Sequence, residues 1–131
     1  MELLRWKARI AVLWIFMAVC MSVHNIIGFV GPGALEKIAK EMAAMGPGML
    51  IFITLFWLVP LWLAFVSMTV KGSCNRWTNF VLGIIFTILN IVHFVEHLAP
   101  PSAVQILIVG STVVATALIA WFAWKWPKEE A

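Results

Sequence analysis

TNFVLGIIFTILNIVHFVEHL, residues 78–98, is the stretch on which the fold turns. It is long enough and apolar enough to cross ~30 Å of hydrocarbon as a helix. Yet Asn90, His93, Glu96 and His97 sit in its second half. A charge at the centre of a bilayer costs roughly 2.5–3.5 kcal/mol on insertion scales, so such groups turn away from lipid. On a helix, successive residues turn about 100°, which puts Asn90 at about +60°, His97 at about +40° and Glu96 at about −60° from His93. All four share one arc, and Asn79 and Gly83 extend the stripe towards the start of the stretch. A helix that is apolar except for one polar stripe predicts a bundle, with the stripe facing other helices.

The rest of the chain supplies those helices. It has 131 residues, 63% hydrophobic and 11% charged, against about 25% charged in an average soluble domain. Its mean hydropathy is +1.01. Four spans are expected, at roughly 8–30, 48–70, 78–98 and 103–124, in a single domain covering residues 1–131. Clusters of Gly, Pro and Ser separate them: GPGALEKIAKEMAAMGPG, KGSCNRW and APPS. The fold class is therefore all-α, a polytopic membrane protein with a four-helix transmembrane bundle. The first apolar run is too long for a signal peptide and has no small-residue cleavage site after it, so it reads as a retained span. Between spans one and two, Leu35, Ile38, Met42 and Met45 recur at helical spacing, with Glu36, Lys37, Lys40 and Glu41 on the opposite face. That predicts a short amphipathic helix lying on the membrane surface.

Lys and Arg set the orientation. Arg5, Lys7, Arg9, Lys71, Arg76, Lys125 and Lys128 belong to one side, and Lys37 and Lys40 to the other, which accounts for all nine. Both termini are expected in the cytoplasm, with the protein multi-pass in the cell membrane. The lipid bilayer is then its first partner. Gly28, Gly83 and Gly110 offer close helix approach within or between subunits, and a homo-oligomer or a place in a larger membrane complex is expected. The basic residues are few and follow the topology, so no nucleic-acid partner is expected. Several of the eight tryptophans flank the spans, as an aromatic belt would. Pro60 is expected to kink span two. Cys20, near mid-membrane, and Cys74, in a turn, differ in depth by about 16 Å, too far for a disulfide.

Depth brings the polar residues of different spans together. His24 lies 15 residues beyond Arg9, and His93 lies 17 beyond Arg76, a difference of roughly 3 Å in rise. Asn25, Asn90 and Gln105 fall in the same layer, and Thr54 comes near it. Leu13, Met17, Cys20, Met21, His24 and Gly28 share a face of span one, and Gln105, Thr112 and Thr116 align on span four.

Three functions fit such a layer. The first is a structural or accessory membrane subunit, whose histidines and asparagines bond between helices and fix their packing. The second is a transition-metal site using His24, His93 and His97 with Glu96 as ligand or partner, or a haem held between histidines of spans one and three. Spacing of i and i+4 puts His93 and His97 on one side of a helix, as a shared metal needs. The third is a membrane enzyme or proton-coupled transporter using a buried Glu96/His pair. The letters HFVEH also match a protease signature, but no soluble catalytic domain surrounds them.

NRWTNFVLGIIFTI (Asn75–Ile88) and WFAWKWP (Trp121–Pro127), with LWIF near the start, resemble small prokaryotic four-helix membrane proteins, DoxX-like in architecture. The resemblance implies the four-helix layout. It implies no activity and no site residue.

The charge split generates a prediction. A cysteine placed at Lys40 should react with an impermeant thiol reagent in intact cells, and one at Lys71 only after the membrane is breached. The reverse pattern would invert the topology.

Overall fold

The structure is a computed structural model that describes residues 1–127; Lys128, assigned above to the basic side, lies outside them. Five helices follow in order: α1 (Glu2–Gly28), α2 (Ala34–Ala44), α3 (Pro47–Thr69), α4 (Gly72–Glu96) and α5 (Ala103–Trp124). Four of them, α1, α3, α4 and α5, are long and apolar enough to cross a membrane, so the chain is a multi-pass membrane protein. The first span is longer than expected, because α1 begins at Glu2 and takes Arg5, Lys7 and Arg9 into its opening turns. The amphipathic helix forms as α2, with Leu35 and Met42 exposed and no residue buried.

The spans alternate in direction. α1 packs along α3 on one side and α5 on the other, and α4 packs along α5. The fourth side of the bundle, between α3 and α4, is only lightly packed. The core lies on the inward stripes, with Ile10, Trp14, Met17, Ile119 and Ala123 sealed or nearly so. Phe86 of α4 meets Trp14 of α1 across the bundle, ring centroids 5.3 Å apart, and Phe56 of α3 at 5.4 Å.

One end is basic. There Arg76 donates to the carbonyls of Ala123 and Trp124 at the end of α5. Arg9 lies over Trp6, Arg76 over Trp77 and Lys125 over Trp121, with 5.0–5.5 Å to the ring centres. These pairs are the interfacial anchors that the tryptophan-rich flanks of the sequence suggest.

Just inside this end lies a buried polar network. Trp14 Nε1 donates to Asn79 Oδ1 at 2.7 Å, and Ser67 Oγ reaches the same oxygen at 3.0 Å. Asn79 Nδ2 donates to Asn75 Oδ1 at 2.6 Å, and Asn75 Nδ2 to the carbonyls of Ser67 and Val70. Lys7, 8% exposed, adds its ammonium to the Val70 carbonyl at 3.1 Å. The last carbonyls of α3 have no partner within their helix, and Asn75 and Lys7 supply one. Asn75 is thus a buried link between α3 and α4.

Glycine permits close approach at one of the three candidate positions. A Cβ on Gly83 would stand 3.0 Å from Ala120 N and 3.2 Å from its Cα, so α4 and α5 meet backbone to backbone there. Gly110 faces the Phe94 ring at 3.4 Å, and Gly28 faces open space. Pro60 is buried inside α3, and the helix runs through it. Cys20 and Cys74 are both free.

Gly83→Ala should therefore force the two backbones apart and lower stability by about 1–3 kcal/mol, as overpacking does. Gly110→Ala should be tolerated, because an aromatic ring can shift where a backbone cannot. Unfolding curves of both variants in mixed micelles would check the contrast.

Candidate functional site

At the end opposite the basic one, three helices each bring a polar group inward. His24 comes from α1, His93 and His97 from the last turn of α4 and its cap, and Gln105 from the first turn of α5. The α5 start is fixed locally, since Ser102 caps the helix by accepting from the Gln105 amide. Counting residues from the basic anchors predicted this shared depth, and the structure brings His24, His93 and His97 together. Their rings meet edge to face, with centroids 4.9 Å apart for His24–His93, 4.8 Å for His24–His97 and 4.9 Å for His93–His97. One ring nitrogen from each lies within 4.8 Å of the other two. His24 is 9% exposed, and the other two are half-buried.

Hydrogen bonding to the far nitrogens sets what the near ones can do. His24 Nδ1 bonds Gln105 Oε1, and Gln105 Nε2 donates back to the His24 carbonyl at 3.3 Å. An amide oxygen only accepts, so the hydrogen belongs on His24 Nδ1. His93 Nδ1 lies 3.3 Å from Glu96 Oε2. A carboxylate likewise only accepts, so His93 Nδ1 carries a hydrogen as well. In the neutral rings both Nε2 atoms are then bare lone pairs. They face each other at 3.1 Å. Two lone pairs at that distance repel, and an electropositive centre between them turns the repulsion into attraction.

The remaining predicted residues fall in different places. Asn25 caps nothing distant: its Nδ2 bonds the Met21 carbonyl one turn back, and its side chain lines a cleft beside His24. Asn90 is fully buried one turn below His93, where Nδ2 reaches the Thr112 carbonyl at 3.5 Å and Thr116 Oγ1 at 3.4 Å, tying α4 to α5. Thr54 points outward from α3, bonded to the Leu50 carbonyl, and takes no part. Glu96 departs most from expectation. The proton-relay reading needs it buried, but its side chain is 67% exposed and touches the cluster through His93 alone. Glu96 is the last residue of α4.

The gap between α3 and α4 opens beside the histidines. It forms a cleft of about 360 Å³, floored by Phe56 and reaching Met21, His24 and His93. No sequence pattern announced it, because it arises from the separation of two helices whose facing residues are simply apolar.

Against known proteins, no family model, no curated protein and no solved structure matches this chain. Its class therefore rests on the fold and the cluster: a four-span membrane protein with a histidine triad that could hold a metal.

The tautomers can be tested directly. In chelator-treated, ¹⁵N-histidine-labelled protein at alkaline pH, His24 and His93 should show hydrogen on Nδ1 and a lone pair on Nε2. Gln105→Leu should remove the bias at His24 while leaving His93 as it was. Hydrogen on Nε2 of either native ring would contradict the assignment.

Proposed function

We propose that this chain is a transition-metal-binding membrane protein whose ligands are His24, His93 and His97. The observation that carries the reading is the pair of bare Nε2 atoms facing each other at 3.1 Å. Two imidazoles on one tetrahedral ion, with bonds of 2.0–2.1 Å, place their nitrogens about 3.3 Å apart. The pair is almost at that separation. His97 is the third ligand, and its place as the cap of α4 leaves it free to close a short remaining distance. Gln105 and Glu96 act as the outer partners that hold ligand imidazoles in one tautomer, a feature shared by most metal-bound histidines. Three imidazoles suit Zn²⁺, Cu, Fe or Ni, and three protein ligands with a fourth position open is the pattern of zinc sites that bind or transform something.

Haem fits less well. Two axial nitrogens need about 4 Å between them and a gap for the macrocycle. Rings whose nitrogens stand 3.1 Å apart leave no room for a porphyrin. A purely structural subunit needs hydrogen bonds between helices, and Asn75, Asn79 and Asn90 already provide them. It has no use for three converging imidazoles. A proton shared by His24 and His93 would also join the two lone pairs, but it would leave His97 unused. The DoxX-like resemblance bears on layout only. We place the histidine end on the outer side of the cell membrane, with the basic end and both termini in the cytoplasm, following the positive-inside rule.

Purified without chelators, the protein should retain about one Zn²⁺-class ion per chain by elemental mass spectrometry. His93→Ala and His97→Ala should lose it, and Cys74→Ala should keep it. Glu96→Gln, which preserves size and removes the charge on His93, should weaken binding by about 10–100-fold. Only neutral imidazole binds a metal, so affinity should fall at acidic pH, where the histidines take up protons. Folded protein with no retained ion, and with a proton shared between His24 and His93 by NMR, would replace the metal reading with the proton one.

A further inference from the structure

The cleft between α3 and α4 has a shape and position that the metal site alone does not require. Its walls are Phe52, Ile53, Phe56 and Trp57 from α3 with Leu89 and Val92 from α4. It lies along the spans, on the side of the bundle where helix packing is lightest, so its long opening faces hydrocarbon. Its volume, about 360 Å³, is within the usual ~300–1,000 Å³ of small-molecule sites. One end is polar, where His24, Asn25, His93 and Glu96 line it; away from that end the lining is aromatic and aliphatic, and includes Phe56, whose ring meets Phe86 at 5.4 Å. An apolar slot open to lipid and polar at one end matches a molecule with the same division.

We propose that this cleft binds a single-chain carboxylate amphiphile, of the fatty-acid class, which enters sideways from the membrane and places its head group at the open position of the metal. The proposal rests on the metal reading. The head is anionic for a reason of charge. Three neutral imidazoles and a divalent cation carry about +2, and the Glu96 carboxylate on His93 brings the local sum to about +1. A carboxylate completes the neutralisation and is a good oxygen ligand. Asn25 gives one amide hydrogen to the Met21 carbonyl and has a second for the other carboxylate oxygen. The chain lies along Phe52, Phe56 and Trp57.

The test uses the full chain in phosphatidylcholine nanodiscs, with a long-chain fatty acid brominated near mid-chain as quencher. Subtracting a Trp57→Phe variant isolates the Trp57 signal. Zinc-loaded protein should show saturable quenching, with half-saturation at about a tenfold lower mole fraction than chelator-treated protein. The methyl ester of the same acid should lose that advantage. Leu89→Phe, which narrows the slot away from the histidines, should weaken quenching while zinc retention stays unchanged. Equal behaviour of acid and ester, or quenching that rises in proportion to the bromine in the bilayer without saturating, would overturn the proposal. Zinc measured on the same samples separates the two failures. Zinc retained without acid-specific quenching overturns the amphiphile site alone. No zinc retained overturns the metal reading and the metal-held head group with it.

Discussion

In hydrocarbon a polar group without a partner costs several kcal/mol, and most placements in this bundle answer to that constraint, with Asn90 Oδ1 and Trp126 Nε1 the buried side-chain atoms left without a partner among the described residues. Water competes for nothing there, so each buried amide, hydroxyl or imidazole must find its partner on another helix or on its own preceding turn. The chain meets the demand in two layers. Near the basic end, Trp14, Ser67, Asn75 and Asn79 form a closed set that joins α1, α3 and α4. Near the other end, His24 and Gln105 join α1 to α5, and His93 of α4 faces His24 of α1. Between them Asn90 reaches Thr116, and Gly83 lets α4 lie against the backbone of α5.

The two layers differ in how completely they satisfy themselves. In the first, donors and acceptors match: the Asn79 oxygen takes two donors, and the amides of Asn75 and Asn79 end on carbonyls. Such a network fixes one arrangement of helices and asks for nothing more. In the second, the outer nitrogens of His24 and His93 are satisfied and the inner ones are not. A set of acceptors turned towards one another is the reverse of what packing alone selects. That imbalance, rather than the mere presence of histidine, is what the proposed metal site rests on. Its position beside the lightly packed α3–α4 side also joins it to the membrane, through a cleft whose residues are apolar except at the histidine end.

Much of this was legible in residue order. The four spans, the surface helix α2 and the gathering of six described Lys and Arg residues at one end follow from hydropathy, turn residues and charge, because insertion into a bilayer is governed by those local quantities. Counting from basic anchors placed His24 and His93 at one depth, since helical rise is nearly constant and the anchors share an interface. The angular stripe on α4 put His93, His97, Asn79, Gly83 and Asn90 inward; the four side chains point there, and Gly83 meets the backbone of α5.

What counting could not supply was everything that depends on which helices are neighbours. Asn75 lies in a stretch that reads as a break between spans, and only the tight α3–α4 turn folds it against the carbonyls of Ser67 and Val70. Glu96 shares the polar arc, yet it lies where α4 ends and its neighbours no longer surround it, so exposure overrides angle. Gly28 and Gly83 look alike in sequence, but only Gly83 has a backbone opposite it. The tautomers of His24 and His93 depend on Gln105 and Glu96, and the cleft depends on α3 and α4 parting. Sequence by itself determined the spans and the depth of each polar group, because both are properties of a single helix in a bilayer. The tertiary structure alone decided which groups meet and with which atoms, because that is a property of pairs of helices, set by contacts between residues far apart in the chain.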